Sequence, residues 1–314
     1  MARHTAIGID AGGTTTKAGL VTPEGEIVAR VERPTDASAA TKGIIAVVDE
    51  LLERAPSADA EVVAAGAGVA GFIGDSTVIF SPNLVFDDPN VAAAISARAG
   101  VPSVAENDAN AAVWGERTYG AARGSDEVVL ITIGTGIGSG FIVKGRILSG
   151  HSGAAAELGH TVVDPTGPMC GCGLRGCLEQ FASGSAIARM GQEAASGEPD
   201  SSMVAFAGSI DVIRAEHVAK AAREYDDTAR AVLRRAGRAL GIGLSNAVNL
   251  FDPELIVLAG GVTRAGEPFL GPARDELAQR MSVQRRRAMR LDLSALEGDG
   301  GILGAAALAF ERAT

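Results

Sequence analysis

Residues 6–28 read AIGIDAGGTTTKAGLVTPEGEIV, and this stretch decides the fold. Residues 6–9 predict a buried strand, residues 10–16 a turn of glycine and threonine, and residues 17–21 a returning strand. Residues 23–25, PEG, then predict a second turn before a third strand. The stretch therefore predicts three consecutive strands, and small residues build the turn between the first two.

The same plan returns at residues 128–148, VVLITIGTGIGSGFIVKGRIL. Residues 128–133 predict the strand, residues 134–138 the turn, residues 140–143 the returning strand and residues 144–145 the next hairpin. Small residues in such turns expose backbone N–H groups and threonine hydroxyls, which can hold phosphate oxygens. Neither turn matches the P-loop motif or the helix-opening GxGxxG motif, so those two nucleotide-binding classes are excluded.

A third glycine turn follows another predicted strand. Residues 226–250 have the apolar spacing of a long amphipathic helix, and residues 255–258 predict a short buried strand after it. Gly260 and Gly261 come next in a turn whose exposed backbone suits an adenosine. Two hairpin-bearing halves with such turns resemble the actin-like ATPase and sugar-kinase superfamily.

The length of 314 residues favours two domains rather than one. The superfamily resemblance implies an α/β, two-lobed actin-like ATPase or ribonuclease H-like sugar kinase fold, with duplicated βββαβα domains and a cleft between them. The expected small domain is residues 1–108, with the C-terminal helix 301–314 packing back on it. Residues 109–300 are the expected large domain.

The charge balance argues against a protein that binds nucleic acid. The formal net charge is −10 at pH 7, whereas affinity for polyanions comes largely from Lys and Arg. Arg285, Arg286, Arg287 and Arg290 form one local basic patch, which we interpret as a solvated face. The N-terminus lacks the apolar core of a signal peptide and no stretch has the length of a membrane span, so we expect a cytoplasmic protein without a membrane partner.

A carboxylate lies at a predicted junction between a strand and a helix. Residues 101–105 suit a strand and residues 108–115 begin a helix, which places Asp108 where junctions of this kind open onto a site. Two interpretations stay open for Asp108. It can cap the helix, or it can accept the proton of an attacking hydroxyl during phosphoryl transfer.

Three short stretches offer the planar polar groups that recognise sugar hydroxyls. They are ENDAN at residues 106–110, SPN at residues 81–83 and ELGH at residues 157–160. Pro82 fixes the turn of the second stretch. Gly159 is interpreted as permitting an unusual backbone conformation between two functional side chains in the third.

All three cysteines of the chain lie within residues 170–177, CGCGLRGC. An odd number of thiols on a compact loop is atypical of disulfides in a reducing compartment and favours a metal site. His160 is the obvious fourth donor, and Cys₃His is a common closed set for structural zinc. A zinc ion on one ring nitrogen would leave the other N–H of His160 free for a substrate hydroxyl. The alternative is three buried free thiols.

These motifs together resemble the ROK family, and specifically its zinc-containing bacterial glucokinases, from about residue 6 to about residue 309. The most specific match is ExxH at residues 157–160 followed by CGCGxxGCxE at residues 170–179. DAGGT at residues 10–14, ENDAN at residues 106–110 and GTGIG at residues 134–138 support it.

The resemblance implies roles by motif position. Asp108 is the expected catalytic base that deprotonates the sugar 6-hydroxyl. The expected hexose ligands are Asn83, Asn107, Asp108, Glu157, His160 and Glu179. The expected nucleotide-site residues are Asp10 near the Mg²⁺-nucleotide, the phosphate-turn residues Gly12, Gly13, Thr14, Thr135 and Gly136, and Gly260 with Gly261 at the adenosine. The expected zinc ligands are His160, Cys170, Cys172 and Cys177.

The implied activity is ATP-dependent phosphorylation of the 6-hydroxyl of a hexose, first of all glucose. The implied cofactors are ATP, Mg²⁺ and a structural Zn²⁺, and the implied assembly is a homodimer or homotetramer. In the family, GGTK often occupies the first turn, but here the lysine comes only at Lys17, so no phosphate role is carried over to it.

Three other functions remain open. An N-acetylglucosamine or other amino-sugar 6-kinase is the first, because Leu84, Val85 and Phe86 follow Asn83 where actinobacterial glucokinases tend to have a tryptophan. A ROK repressor carries a helix-turn-helix segment ahead of the first glycine turn, and a first strand beginning by about residue 5 leaves no room for one. A catalytically silent sugar sensor is disfavoured by Asp108.

Overall fold

The computed structural model describes residues 2–281 and 289–313. Arg285, Arg286 and Arg287 of the basic patch lie outside the described residues. By contact the chain divides into two compact units: the first is Met1–Leu130, Gly140–Ala156 and Ser294–Thr314, and the second is Ile131–Ser139 and Glu157–Leu293. The domain boundaries expected after residues 108 and 300 stay a prediction.

The strands are β1 (Arg3–Ala11), β2 (Thr15–Val21), β3 (Ile27–Pro34), β4 (Ala60–Val69), β5 (Phe72–Gly74), β6 (Thr77–Phe80), β7 (Ser103–Asn107), β8 (Val128–Ile133), β9 (Ile137–Val143), β10 (Arg146–Ile147), β11 (Leu255–Ala259) and β12 (Arg290–Leu293). The helices are α1 (Ala40–Arg54), α2 (Val91–Ala99), α3 (Asp108–Tyr119), α4 (Glu179–Ala182), α5 (Gly184–Gly197), α6 (Ser202–Ala207), α7 (Ala215–Arg223), α8 (Asp227–Phe251), α9 (Glu267–Arg280) and α10 (Gly300–Ala313).

The first sheet has the order β3-β2-β1-β4-β7. β2 pairs antiparallel with β1 and with β3, while β4 pairs parallel with β1 and with β7. The predicted run of three strands is therefore confirmed. Its first two strands are longer than expected and the turn between them is shorter, because Asp10 and Thr16 pair within the ladder.

The second sheet has the order β10-β9-β8-β11-β12, which repeats the order of the first. β10 pairs antiparallel with β9, and β12 pairs parallel with β11. β8 has the bounds predicted from the sequence, and β9 begins at Ile137, inside the predicted turn. The duplication predicted from the two hairpins is therefore confirmed at the level of sheet topology.

The first sheet is covered on both faces. On one face, Ile9 and Leu20 of the sheet pack with Ile44 of α1 and Ile95 of α2 in one buried cluster. On the other face lies α10, whose Ile302, Leu303 and Ala306 cluster with Ala6 and Ala64. Gly8 and Gly66 fit beneath this helix, because an added Cβ there would lie 2.1 Å and 2.0 Å from backbone oxygens of α10. The helix backbone therefore rests directly on β1 and β4.

α10 also crosses α3 at very short range. A Cβ added to Gly304 would lie 1.7 Å from the carbonyl oxygen of Ala111, and one added to Gly115 would lie 2.6 Å from the carbonyl oxygen of Gly300. Only glycine permits such an approach between two helix backbones. The crossing therefore fixes the position of α3, the helix that begins with Asp108.

The longest helix of the second unit, α8, matches the predicted helix closely. Its N-cap is Asp226, whose side chain accepts a hydrogen bond from the backbone N–H of Ala229 at 2.8 Å. Leu233 and Leu240 are fully buried, and Gly243 lies against the side chain of Leu178. Among the described residues, no helix combines the length and the apolar character needed to cross a bilayer.

Candidate active site and metal centre

The first glycine turn, residues 12–15, connects β1 to β2. The backbone N–H of Gly12 bonds to the carbonyl of Thr15 at 3.2 Å, and Gly13 and Thr14 are exposed. Thr35 holds the turn from outside: its hydroxyl donates to the carbonyl of Gly12 at 2.8 Å and its N–H to the carbonyl of Thr14 at 3.0 Å. Sequence reasoning missed Thr35, because nothing local marks a partner that lies 23 residues away.

Asp10 lies beside this turn on β1, directly opposite Lys17 in the ladder. Burial first, and then the charge of Asp108, raise the pKa of Asp10 to about 7, while Lys17 acts in the opposite direction. A Cβ added to Gly301, in the first turn of α10, would lie 2.6 Å from Cγ of Asp10, so the glycine leaves room for the carboxyl group. Asp10 and Asp108 therefore interact within the first unit.

Replacing Asp10 with asparagine is expected to stabilise the ligand-free protein more at pH 8 than at pH 4. The carboxyl must ionise at high pH in a site that disfavours its charge, so the wild type loses stability as the pH rises from about 4 to about 7. Asparagine does not ionise, so the variant lacks this pH-dependent decrease in the free energy of unfolding, which is on the order of 2–4 kcal/mol. Melting temperatures measured without Mg²⁺ or nucleotide at several pH values between 4 and 8 would check it.

The matched control is Asp36→Asn in the same unit. The Ser38 hydroxyl and N–H lower the pKa of Asp36, so its carboxyl stays ionised from pH 5 to pH 8 and its replacement changes stability by a constant amount there. A difference between wild type and Asp10→Asn that does not vary with pH would contradict the assignment for Asp10.

Asp108 is the first residue of α3, and Asn107 caps that helix. Oδ1 of Asn107 accepts hydrogen bonds from the N–H groups of Ala109 at 2.9 Å and Asn110 at 3.0 Å. The interpretation of Asp108 as the cap is therefore wrong, because the cap position is occupied one residue earlier. This leaves the Asp108 carboxylate without a capping role.

Burial raises the pKa of Asp108 above its ordinary value, although the N–H of Ala109, at 2.9 Å from Oδ1, favours the charged form. A carboxylate with a raised pKa is a stronger base than an exposed one, and it still ionises when its pKa lies below the working pH. The environment of Asp108 therefore suits a group that accepts a proton.

The amide of Asn107 is largely engaged within the first unit. Its Nδ2 donates to the carbonyl of Gly71 at 3.1 Å, in addition to the two bonds that its Oδ1 accepts. Glu106 braces the same junction, since its Oε1 accepts from the Asn107 N–H at 2.8 Å and from Nδ2 of Asn110 at 3.1 Å. Sequence reasoning assigned no role to Glu106, which fixes the strand-to-helix junction.

Asn83 lies on an exposed loop after β6, and its Cβ is 3.8 Å from the position of a Cβ added to Gly13. Ser81 shapes this loop by donating to the carbonyl of Ala70 at 2.8 Å and accepting from the N–H of Leu84 at 3.2 Å. The structure therefore brings Asn83 to the first glycine turn within the first unit.

The second glycine turn, residues 134–138, belongs to the second unit. The start of α5 holds it, because the N–H of Gly184 bonds to the carbonyl of Gly134 at 2.8 Å and that of Ser185 to the carbonyl of Thr135 at 3.3 Å. Thr135 is exposed. The turn therefore presents a threonine next to a helix N-terminus, an arrangement that favours anions.

The third glycine turn borders a cavity of about 560 Å³. Gly260 has φ of +93°, and an added Cβ would lie 2.4 Å from the carbonyl oxygen of Ile133, so glycine is required there. An added Cβ on Gly261 would meet nothing within 4 Å. The cavity is lined by apolar and polar groups that include Thr135, Ser185, Ala219, Leu233, Gly261 and Val262. The structure thus brings the second and third turns to one cavity.

The predicted metal ligands meet in one cluster. The ligand atoms of His160, Cys170, Cys172 and Cys177 all lie within 4.8 Å of one another. Nδ1 of His160 is 3.6 Å from Sγ of Cys170, and Sγ of Cys172 is 3.6 Å from Sγ of Cys177. A tetrahedral zinc ion with bonds of about 2.3 Å to sulfur and about 2.1 Å to nitrogen separates its ligands by roughly 3.6–3.8 Å. The donor set therefore fits zinc.

The cysteine loop, residues 160–177, is folded tightly around this cluster. Gly176 has φ of +74°, and an added Cβ would lie 1.5 Å from the carbonyl oxygen of Asp164. Cys177 is fully buried, and burial together with the neighbouring thiols raises its pKa to about 12. A cation bound by this thiol would favour its thiolate form.

His160 ends a 3₁₀ turn formed by Leu158–His160. Its Nδ1 faces the cysteine sulfurs, so Nε2 lies on the opposite side of the ring from the metal position. Gly159 does not have a positive φ, which corrects the role given to it above. It is glycine because an added Cβ would lie 2.3 Å from the carbonyl oxygen of Ile137. Glu157 precedes the turn, and its carbonyl accepts from the N–H of His160 at 3.1 Å.

Glu179 begins α4, two residues after Cys177. Its Oε2 accepts a hydrogen bond from the backbone N–H of Ile137 at 3.0 Å. The structure therefore places this expected sugar ligand against the second glycine turn. The spacing of 42 residues gives no sequence signal for that contact.

Two five-stranded sheets of one strand order, with a glycine turn in the first hairpin of each, define the actin-like ATPase class of sugar kinase folds. The sequence profile of the ROK family matches residues 6–312, and the chain belongs to that family.

Relatives cover nearly the whole chain. The glucokinase of Thermotoga maritima is 39% identical over 311 residues, which are 98% of this chain and 97% of that protein. The glucokinase of Streptomyces coelicolor is 37% identical over 97% of each chain. A ROK family glucokinase from Streptomyces griseus, solved in complex with glucose and AMPPNP, superposes with a TM-score of 0.86 at 37% identity over 98% of this chain and 99% of that one.

Proposed function

We propose that this protein transfers the γ-phosphoryl group of ATP to the 6-hydroxyl of glucose. The observation that carries the proposal is the identity of 37–39% to glucokinases along nearly the full length of both chains. The Streptomyces griseus glucokinase, which binds glucose and an ATP analogue, has the same fold over 98% of this chain. The described turns, carboxylates and metal cluster are compatible with that chemistry.

In the proposed reaction, Asp108 accepts the proton of the sugar 6-hydroxyl as the new O–P bond forms. The proposed hexose ligands are Asn83, Asn107, Glu157, His160 and Glu179. The support for Asp108 is its raised pKa and its place at the start of α3, a position that the cap and the α3–α10 crossing hold firmly.

The proposed phosphate contacts are backbone and hydroxyl groups rather than cationic side chains. Gly12, Gly13 and Thr14 offer them in the first turn, and Thr135 and Gly136 in the second. Gly260 and Gly261 are the proposed adenosine contacts beside the 560 Å³ cavity. Such fixed donors stabilise the charge that develops on the transferred phosphoryl group without reorganising.

Mg²⁺ bound with the nucleotide would neutralise phosphate charge, and Asp10 is the proposed residue near it. Zinc would be held by His160, Cys170, Cys172 and Cys177, and four protein ligands leave no open position for water. The proposed role of zinc is therefore structural: it orients His160, whose remaining ring N–H can then donate to a sugar hydroxyl. We also propose a homodimer or homotetramer, which light scattering would measure.

A panel of sugars tests the proposal. ADP release would be measured with MgATP and glucose, mannose, glucosamine, N-acetylglucosamine, N-acetylmannosamine or fructose. We expect glucose to have the highest kcat/KM, by about 10-fold or more, because a site that hydrogen-bonds each hydroxyl rejects sugars that leave its groups unpaired.

Two results of this panel would contradict the proposal. A higher kcat/KM for N-acetylglucosamine would replace glucose with an amino sugar as the substrate. ADP release that no sugar stimulates, from protein that still binds glucose, would indicate a sugar sensor without catalytic activity.

A further inference from the structure

We propose that Glu179 couples the cysteine loop to the second glycine turn, so that metal binding and nucleotide binding stabilise each other. The inference rests on the proposed function only in taking residues 134–138 as a phosphate-binding turn. It gives Glu179 a positioning role in addition to its proposed contact with the hexose, since a carboxylate has two oxygens and the turn engages one.

Glu179 contacts two consecutive residues of the turn. Its Oε2 accepts from the N–H of Ile137 at 3.0 Å, and the same oxygen lies 2.5 Å from the position of a Cβ added to Gly136. Ile137 is only 5% exposed, so water is poorly placed to replace the carboxylate as partner of this N–H group. The geometry of the turn therefore depends on where Glu179 is held.

The cysteine loop holds Glu179 through the residues just before it. The N–H of Leu178 bonds to the carbonyl of Thr161 at 2.9 Å, and the Cys177 thiol contacts the carbonyl of His160 at 3.4 Å. A metal ion shared by His160 and Cys177 would lock these two segments together. The backbone that carries Glu179 is therefore fixed by the metal cluster.

The residues just before the cysteine loop contact β9, the strand that begins at Ile137. The N–H of Leu158 bonds to the hydroxyl of Ser139 at 3.0 Å in buried surroundings, and Gly159 packs on the carbonyl of Ile137. Segments on both sides of the metal cluster thus touch Ile137, one at its N–H and one at its carbonyl. Loosening the cluster would release the turn from both.

Coupling between two binding sites is reciprocal. If the metal orders the turn for nucleotide phosphates, the nucleotide must also make the metal harder to remove. One buried hydrogen bond sets the expected size, so we expect a non-hydrolysable ATP analogue to slow zinc loss by about 3- to 10-fold.

The experiment uses the zinc-loaded protein without sugar. Zinc transfer to the chromogenic chelator 4-(2-pyridylazo)resorcinol would be timed with and without saturating MgAMPPNP, and calorimetry would measure binding of the analogue. The wild type should show the protection. Glu179→Gln should keep it, because the glutamine oxygen still accepts from Ile137, and Glu179→Ala should lose it.

Gly136→Ala changes the turn's half of the contact with Glu179. It replaces Glu179→Ala in the experiment if that variant does not fold. Its Cβ displaces the carboxylate, so protection should again be lost at a concentration where calorimetry shows that MgAMPPNP is still bound. Gly171→Ala is the control within the cysteine loop, because its added Cβ meets nothing within 4 Å and protection should persist. Asn83→Ala is the control for a lost sugar ligand and should also keep the protection.

Four results would overturn the inference: purified wild type without zinc, wild type that binds MgAMPPNP but is not protected, protection that persists in Glu179→Ala, or protection lost equally in Glu179→Gln. Binding of MgAMPPNP without protection sinks this inference and leaves the kinase proposal intact. If no sugar stimulates ADP release but MgAMPPNP still slows zinc loss, the kinase proposal fails and this inference stands. Absence of MgAMPPNP binding overturns both.

Discussion

Replacing Asp108 with asparagine is expected to lower kcat by about 10³-fold while glucose still binds. Loss of a general base costs on the order of 10²–10⁴ in rate, and asparagine cannot accept the proton of the 6-hydroxyl. The fold should be unaffected, because Asn107 and not Asp108 caps α3, and the amide oxygen can still accept from the N–H of Ala109. A coupled ADP assay and calorimetry with glucose would measure the two effects.

The pH profile distinguishes a lost base from a distorted site. Burial raises the pKa of Asp108, so kcat of the wild type should fall as the pH is lowered through that raised pKa and the carboxylate becomes protonated. The residual rate of Asp108→Asn should lack this fall. A variant with a kcat near that of the wild type would remove Asp108 from the mechanism.

Gly304→Ala is expected to have the largest effect on stability. Its Cβ would lie 1.7 Å from the carbonyl oxygen of Ala111 in α3, and a backbone atom inside a helix cannot move aside cheaply. The two helices must separate, at a cost of at least about 3 kcal/mol. For a chain of this size we expect the melting temperature to fall by roughly 4 °C or more. Since α3 carries Asp108, kcat should fall as well.

Gly43→Ala is the matched control for this substitution. Gly43 lies inside α1, and its added Cβ meets nothing within 4 Å. Alanine in an open helical position is favoured over glycine by about 0.5–1 kcal/mol, so the melting temperature should stay the same or rise slightly. Equal melting temperatures for Gly304→Ala and the wild type would contradict the close crossing of α3 and α10.

The parts of the fold that the sequence predicted are those with a local pattern. Strand β8 was found from a short continuous apolar run, helix α8 from its apolar periodicity, and the glycine turns from runs of small residues between strands. The cysteine cluster was found because cysteine is rare and four good zinc donors lie within 18 positions of one another. These features depend on neighbours along the chain, which the sequence displays directly.

The remaining features depend on partners that are distant in sequence. Gly304 is glycine because of Ala111, and Gly159 because of Ile137. Thr35 hydrogen-bonds to a turn that lies 23 residues before it. Asn107 and Asp108 are adjacent, and only the backbone geometry decides which of them caps α3. No periodicity or motif spacing encodes such contacts.

The seating of α10 on β1 and β4 has a consequence for synthesis. The apolar face that Ala6 and Ala64 present is covered by Ile302 and Ala306, which are translated long after the strands of the sheet. At about 5–20 residues per second, roughly 10–40 seconds separate translation of β7 from that of α10. During that interval one apolar face of the nascent first sheet is exposed to solvent. We expect chaperones that bind nascent chains to contact this face.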